Sequence, residues 1–222
     1  MLISDEIYCI TAAKNADKRR YIDKQMKYFG LNYKFVYGID ADFTKQICNF
    51  PIYASNSNDE QETKARHLSC DLANYTAILA AYNDGLDRVF IIEDDAQFIK
   101  DTEYIKYCIN NIPDDADIVK FGFTYSQKHL EDIESIVGEN LFIKDIYTVS
   151  TVGYMICNRE TMKNIIDTYA NCIVQADSYD IFNCHKYNVY NLKMPFIISN
   201  EVHYIYESYL DLNKYYNEEE CK

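Results

Sequence analysis

The feature that most constrains this chain is an apolar run that ends in three consecutive carboxylates. Val89 to Ile92 contains no Pro or Gly, which predicts a buried β-strand, and Glu93, Asp94 and Asp95 follow it directly. Carboxylates so close together are costly to ionise in a buried position without a compensating cation. A strand that opens into a cleft resolves this conflict, because an oxygen-preferring divalent ion can neutralise the charge there. A solvated acidic turn is the alternative explanation for this stretch taken alone.

Strand and helix patterns alternate from the start of the chain. Glu6 to Thr11 and Tyr33 to Tyr37 predict strands, and the helix between them is expected to be capped by Asp17 and ended by Gly30. A strand–helix–strand opening favours parallel pairing and an α/β fold. In such folds ligands bind beyond the carboxyl ends of the strands, which is where the acidic triplet lies.

The rest of the chain continues the pattern and predicts one α/β domain over residues 1–222 with a mixed sheet. A long helix is predicted before the acidic strand, with one apolar stripe formed by Leu68, Leu72, Tyr75, Leu79 and Tyr82. Later strands are predicted at Ile118–Phe123, Leu141–Lys144, Val152–Cys157 and Phe196–Ser199, and later helices around Ile105–Ile112, Met162–Tyr169 and Asp177–His185. Gly122 and Gly153 are each expected to mark a bulge or a close backbone approach to a ligand, and residues 211–222 are expected to be frayed.

Composition argues against several classes of function and location. The formal net charge of −13 disfavours nucleic acid or an anionic membrane as the main partner. No apolar run approaches about 18 residues, and the acidic start lacks the basic region of a signal peptide, so neither a transmembrane segment nor secretion is expected. Eight cysteines without a C-x-x-C pair favour free thiols in a reducing compartment. We therefore expect a cytoplasmic protein, either free or peripheral at a membrane.

Several elements also occur in the order of a known family. A first strand leads into a basic helix start (ITAAKNADKRR), a helix with Leu68-Ser69 precedes the acidic strand, and a Gly-Tyr strand (TVGYMICNRETMKNII) precedes Asp177. Over Ile7 to Ile198 the chain resembles glycosyltransferase family 25, which includes bacterial lipooligosaccharide glycosyltransferases and animal collagen galactosyltransferases. The resemblance implies a GT-A-like, nucleotide-diphospho-sugar transferase fold, with a mixed, mostly parallel sheet flanked by helices.

The resemblance further implies an activity and a set of cofactors. The expected reaction moves a hexose, galactose or glucose, from a UDP-sugar to a glycan, a lipid-linked saccharide or a protein side chain, with inversion. Mn²⁺ or Mg²⁺ is expected to stabilise the diphosphate leaving group by Lewis acidity. Asp95 is the expected metal ligand, Glu93 is a second candidate, and His203 could complete the shell. Glu93 or Asp94 would otherwise bind the ribose or a metal-bound water.

An inverting reaction also needs a base near the acceptor hydroxyl, and a donor needs binding residues. Asp177 is the expected base, with Asp180 as its competitor one helical step on. Basic side chains and free backbone N–H groups at the first helix start suit a diphosphate, and Lys18 lies among them. The residues expected to bind the donor are Thr11, Ala12, Lys14, Arg19, Arg20, Ser69, Glu93 and Asp94.

Two other classes of protein remain as alternatives. Thr11 stands where the family has Asn, and Cys70 stands where it has His, so an inactive GT-A-fold protein that binds a saccharide or a partner is one alternative. Retention of the acidic triplet argues against it, because such a charge cluster has little use without a metal. A sugar nucleotidyltransferase is the other, but that class usually has a Gly-rich phosphate loop, and ITAAKNADKRR contains no Gly.

Overall fold

The structure is a computed structural model, and it describes residues 7–47, 61–124, 140–144, 148–171 and 186–199. These residues form a mixture of strands and helices, as the sequence predicts for an α/β fold. In chain order they are β1 (Ile7–Thr11), α1 (Ala16–Phe29), β2 (Tyr33–Tyr37), α2 (Ala41–Ile47), α3 (Gln61–Asn83), β3 (Val89–Glu93), β4 (Ala96–Phe98), α4 (Thr102–Asn110), β5 (Ile118–Thr124), β6 (Phe142–Lys144), β7 (Val149–Ile156), α5 (Arg159–Asn171), β8 (Val189–Leu192) and β9 (Ile197–Ser199). The predicted helix 177–185 and the tail lie outside the described residues.

Seven strands form one mixed sheet in the order β2-β1-β3-β7-β5-β8-β6. β1 pairs in parallel with β2 and β3, and β5 pairs in parallel with β8. β7 lies antiparallel between β3 and β5, and β6 lies antiparallel to β8 at the edge. Five of the seven strands therefore point the same way, and their carboxyl ends share one edge of the sheet. This confirms the predicted mixed, mostly parallel sheet.

Helix α1 begins in a different way from the prediction but ends as predicted. Its buried residues include Ile22, Met26 and Phe29, and Gly30 adopts the left-handed conformation at its end with a φ of 63°. Asp17 does not cap the helix. It lies in the first turn, where its carboxylate is paired with a basic side chain of the same helix, and Asn15 occupies the cap position without a capping side-chain bond.

The predicted apolar stripe of α3 is not the face that packs on the sheet. Only Leu68 of that stripe is fully buried, and the helix instead buries Ala73, Ala77 and Ala81 together with larger neighbours. Alanines let the helix approach the sheet closely, so the larger residues of the stripe are left at the sides. The approach is so close that a Cβ added to Gly38 would lie 2.7 Å from the Ala73 Cβ.

A short two-stranded sheet, β4 paired antiparallel with β9, packs on the other face of the main sheet. Ile197 of β9 lies directly over the two strand glycines, where a Cβ on Gly122 would be 2.8 Å from the Ile197 carbonyl oxygen. A Cβ on Gly153 would be 2.7 Å from Ile197 Cδ1, and the β5–β7 register shifts around Gly122. The predicted bulge is confirmed at Gly122, whereas the group that approaches both glycines is Ile197 of the same chain and not the expected ligand.

The four cysteines that the structure describes, Cys9, Cys70, Cys108 and Cys157, are free thiols. In the described parts of the chain, no helix is both long enough and apolar enough to cross a membrane.

Candidate active site

A cleft of about 510 Å³ opens at the edge where the carboxyl ends of β1, β2 and β3 meet. Its walls come from the β1–α1 loop, the first turn of α1, the segment after β2, one face of α3 and the acidic triplet. The lining residues are Ile10, Thr11, Ala12, Lys14, Asn15, Lys18, Gly38, Ile39, Ala41, Arg66, Ser69, Cys70, Ala73, Glu93, Asp94 and Asp95. The structure thus brings most of the predicted donor-binding residues to one place.

Asp94 is the most deeply buried carboxylate of the triplet, with 7% of its surface exposed. Its Oδ2 accepts a hydrogen bond from Thr11 Oγ1 at 2.6 Å and another from Asn15 Nδ2 at 2.9 Å. Lys18 Nζ lies 3.6 Å from Oδ1. The carboxylate therefore connects the end of β1, the β1–α1 loop and α1 to the end of β3, and it forms part of the wall of the cleft.

Glu93 faces the opposite side of the sheet and is held by residues of β7 and α3. Its Oε1 accepts hydrogen bonds from Thr151 Oγ1 and from Cys70 Sγ, the latter at 3.8 Å. Asn74 Nδ2 lies 3.6 Å from the same sulfur, and Asn74 Oδ1 accepts a hydrogen bond from Tyr154 at 2.7 Å. Burial, reinforced by Cys70 and Glu93, raises the pKa of Tyr154 well above its ordinary value. The phenol consequently stays protonated and donates to Asn74, which in turn contacts Cys70.

Asp95 lies on the same rim of the cleft but is held by a different element. Its Oδ2 accepts a hydrogen bond from Ser199 Oγ of β9 at 2.5 Å. Asp94 and Asp95 lie in the turn between β3 and β4, and each of the three carboxylates has its own set of partners. The acidic triplet is thus three separate attachments of the β3 end to the surrounding elements.

Whether the cleft could hold a divalent metal ion depends on how many ligands the protein must supply to that ion. Within the described residues, no group of three or more His, Cys, Asp and Glu side chains is placed to hold a metal ion. Glu93 and Asp95 nevertheless line the cleft with oxygen donors, and Mg²⁺ in phosphate-using sites is usually held by one or two carboxylates together with the substrate phosphates. The donor set fits an ion of that kind. His203 lies outside the described residues, as do the candidate bases Asp177 and Asp180.

The predicted arginines take structural positions next to the cleft. Arg19 donates to the Ala12 carbonyl at 2.5 Å and to the Ala13 carbonyl at 3.0 Å, so it braces the β1–α1 loop from outside. Arg20 pairs with the exposed Asp17 and is not among the residues that line the cleft. Neither arginine is among the residues that line the cleft, whereas Ala12 is.

Basic groups that do line the cleft come from three elements. Lys14 lies 3.2 Å from Asp40, and the backbone N–H of Asp42 and then the Lys14 ammonium lower the pKa of the Asp40 carboxyl. Lys18 stands at the start of α1, and Arg66 comes from α3. A negatively charged ligand in this part of the cleft would meet all three basic side chains.

Sequence reasoning missed several residues of the cleft and its support. Asn15 and Arg66 carried a usable signal, because Asn15 lies in the exit loop and Arg66 lies one helical turn before Ser69. Ser69 itself donates to the Ile39 carbonyl at the cleft wall. Thr151 and Ser199 had no local signal, since their contacts with the acidic triplet span 58 and 104 residues.

A family model described as glycosyltransferase family 25 (LPS biosynthesis protein) matches residues 4–179, well over half of the chain. The chain belongs to glycosyltransferase family 25. It is therefore a glycosyltransferase, and its reaction needs a sugar donor and an acceptor. The family 25 match includes the whole cleft and Asp177, and it ends before Asp180. No curated protein sequence matches the chain.

Solved structures of similar proteins are distant from this family 25 chain in sequence. A crystal structure of a protein from STIV is 14% identical, with a TM-score of 0.42, and the match covers 86% of this chain and 81% of that one. A glycosyltransferase involved in glycosylation of the major capsid of PBCV-1 is 10% identical, with a TM-score of 0.39 and coverage of 72% and 64%. A structure from Desulfovibrio desulfuricans described as a nucleotide-diphospho-sugar transferase is 13% identical, with a TM-score of 0.40 and coverage of 86% and 80%.

Proposed function

We propose that this glycosyltransferase moves a hexose, galactose or glucose, from a UDP-sugar to a hydroxyl of a glycan, a lipid-linked saccharide or a protein. The observation that supports this most is the division of charge within one cleft. Lys14, Lys18 and Arg66 supply positive charge, while Glu93 and Asp95 supply carboxylates at the end of β3. A sugar nucleotide with a bound cation has the complementary charges, because its diphosphate is negative and its cation is positive.

The β1–α1 loop and the first turn of α1 would hold the diphosphate. Backbone N–H groups at a helix start and the positive end of the helix dipole favour phosphate there, and Lys18 adds a full charge. Asp94 would act indirectly, since its bonds to Thr11 and Asn15 fix the loop at the place where the nucleotide lies. Thr11, one of the two positions at which the chain is expected to depart from the family, would help to hold the loop in this arrangement.

Asp95 would hold Mn²⁺ or Mg²⁺ together with the donor phosphates, and Glu93 is the second candidate ligand. The bound ion supplies Lewis-acid stabilisation of the charge that develops on the leaving diphosphate. Ser199 orients Asp95, and Thr151 with Cys70 orients Glu93, so each carboxylate is set by its neighbours before any ligand arrives.

We propose Asp177 as the catalytic base, with Asp180 as the alternative. The base would take the proton of the acceptor hydroxyl as its oxygen attacks the anomeric carbon, and UDP would leave from the opposite face. One such displacement inverts the anomeric configuration. The acceptor is proposed to be a saccharide of the lipopolysaccharide type, which is the process that the family description names. A reducing cytoplasmic location belongs to the same proposal and is supported by the free thiols.

Thermal unfolding with UDP, with and without Mn²⁺, tests the donor site directly. A ligand at about a hundred times its dissociation constant stabilises by roughly 2.7 kcal/mol, and a chain of this size gains about 2–4 °C per kcal/mol. We expect a rise of several degrees with UDP and Mn²⁺, and we expect Asp95→Ala to abolish the Mn²⁺-dependent part. Asp167→Ala is the matched control, because Asp167 is an exposed carboxylate of α5 paired with Lys163.

Each outcome of this experiment has a separate meaning. A rise with UDP that does not depend on Mn²⁺ would keep the nucleotide site and reject the metal. No rise with UDP under any condition would reject the UDP-sugar donor. A normal response of Asp95→Ala would remove Asp95 from the metal site, whereas release of UDP from a UDP-hexose on addition of an acceptor would exclude an inactive binding protein.

A further inference from the structure

Glu93 is oriented by two side chains that differ in their relation to the cleft. Thr151 Oγ1 and Cys70 Sγ both donate to Glu93 Oε1. Glu93 and Cys70 line the cleft, whereas Thr151 is 2% exposed and stands behind the carboxylate. Thr151 can therefore influence a ligand in the cleft through the orientation of Glu93.

We propose that Thr151 is a positioning residue that aims the Glu93 carboxylate at hydroxyl groups of the transferred sugar and so sets which hexose is accepted. The proposal rests on the proposed donor function of the cleft and adds the part of the site that distinguishes one sugar from another. It assigns Glu93 to recognition of the sugar and leaves Asp95 as the carboxylate that binds the metal.

Charge determines which end of a sugar nucleotide faces Glu93. The diphosphate is attracted to Lys14 and Lys18 and is repelled by an unshielded carboxylate. Sugar hydroxyls are donors, and a carboxylate accepts hydrogen bonds from them strongly. A site built to bond a substrate hydroxyl rejects an analogue that lacks it or displaces it, because its own polar groups then lose a partner. A carboxylate with a fixed orientation is therefore a discriminator between hexose epimers.

The backbone next to Thr151 is held in an unusual conformation. Ser150 has a φ of 88°, a value that non-glycine residues rarely adopt, and the Val152 N–H bonds to the Ser150 hydroxyl at 3.2 Å. Two positions before Ser150 in the chain, the Thr148 carbonyl accepts a hydrogen bond at 2.8 Å from the fully buried Lys120. Strained backbone persists where the surroundings enforce it, and it is concentrated at functional sites. The start of β7 is thus fixed at the point that presents Thr151 to Glu93.

Calorimetric titration with UDP, UDP-glucose and UDP-galactose in the presence of Mn²⁺ tests the role of Thr151. Thr151→Val keeps the shape of the side chain and removes the donor. We expect its UDP affinity to stay within about twofold of wild type, and we expect the affinity for the preferred UDP-hexose to fall roughly tenfold, which corresponds to about 1.4 kcal/mol. The ratio of the affinities for the two UDP-hexoses should move toward one. Thr151→Ser keeps the hydroxyl and should restore the wild-type ratio.

The chain offers a closely matched control in Thr161. This threonine is 3% exposed and donates to Asp117 Oδ1 at 3.1 Å, so Thr161→Val also removes a buried hydroxyl bonded to a carboxylate. Asp117 precedes β5 and lies at the opposite edge of the sheet from the cleft. We expect Thr161→Val to lose stability while keeping the wild-type ratio of UDP-hexose to UDP affinity.

The outcomes separate this inference from the proposed function. A folded Thr151→Val that binds UDP and UDP-hexoses like wild type, or weakens both equally, overturns the role of Thr151 and leaves the donor site intact. If wild type binds neither UDP nor a UDP-hexose, the proposed function falls, and this inference falls with it. Should Thr151→Val fail to fold, Glu93→Gln replaces the carboxylate that Thr151 holds, and an unchanged hexose preference in that variant overturns the inference.

Discussion

Asp94 shows how one residue of the acidic triplet holds together the elements that form the cleft. Donors from β1, the β1–α1 loop and α1 converge on its carboxylate, namely Thr11, Asn15 and Lys18. The sequence predicts carboxylates directly after a buried strand, and the structure places Asp94 there. It does not predict which of three adjacent acids turns inward, because that depends on what the neighbouring elements offer.

Asp94→Asn should lose stability, since the amide keeps the shape of the carboxylate but removes its charge and one acceptor. Hydrogen bonds to charged groups contribute about 1.5–3 kcal/mol, so we expect a loss of about 2–3 kcal/mol in the free energy of unfolding. Urea unfolding measures this loss directly. Asp167→Asn is the control, and its exposed pair with Lys163 should contribute less than about 1 kcal/mol. Equal losses in the two variants would show that Asp94 does not hold the loop.

Among the elements, β9 and the two strand glycines illustrate how packing fixes a side chain of the cleft. Ile197 covers Gly153 so closely that a new Cβ would meet its Cδ1 at 2.7 Å, and the same strand carries Ser199, which bonds to Asp95. A displacement of β9 would therefore move Ser199 and change the position of Asp95 in the cleft.

Gly153→Ala should destabilise the protein by about 1–3 kcal/mol, which is typical of overpacking in a core. Ile197→Val removes the Cδ1 atom that clashes, so the double variant should regain part of the loss. A double-mutant cycle from urea unfolding should give a coupling energy of at least about 0.5 kcal/mol. Strict additivity of the two single losses would contradict the contact between Ile197 and Gly153.

The elements also show where prediction from the sequence succeeds. β1, α1 and β3 were predicted because a single local pattern marks each of them, an apolar run or a helical period. The buried face of α3 was predicted wrongly, because its alanines give a weak apolar signal beside Leu72 and Leu79. β4 was missed because three residues are too few for a pattern. Contacts such as Thr151 with Glu93 join distant segments, so only the folded chain places them together.

At the scale of the whole molecule, the core contains thiols that limit stability at alkaline pH. Burial, followed by the three carboxylates of the triplet, raises the pKa of Cys9 well above its ordinary value. Burial also raises the pKa of Cys108 to about 11 and that of Cys157 to about 12. In the unfolded chain a thiol has its unperturbed pKa of about 8.5. The unfolded state therefore releases these protons first as pH rises.

The free energy of unfolding should consequently be highest below the unfolded thiol pKa and should fall as pH rises toward the folded values. Each such thiol contributes a slope of about 1.4 kcal/mol per pH unit in that window. Cys9 is fully buried, so Cys9→Ala should show a shallower decline by about that amount. Urea unfolding of both proteins between about pH 7.5 and about pH 10.5 measures the two slopes. Parallel slopes would mean that Cys9 ionises alike in the folded and unfolded chain, which would contradict its enclosure behind the acidic triplet.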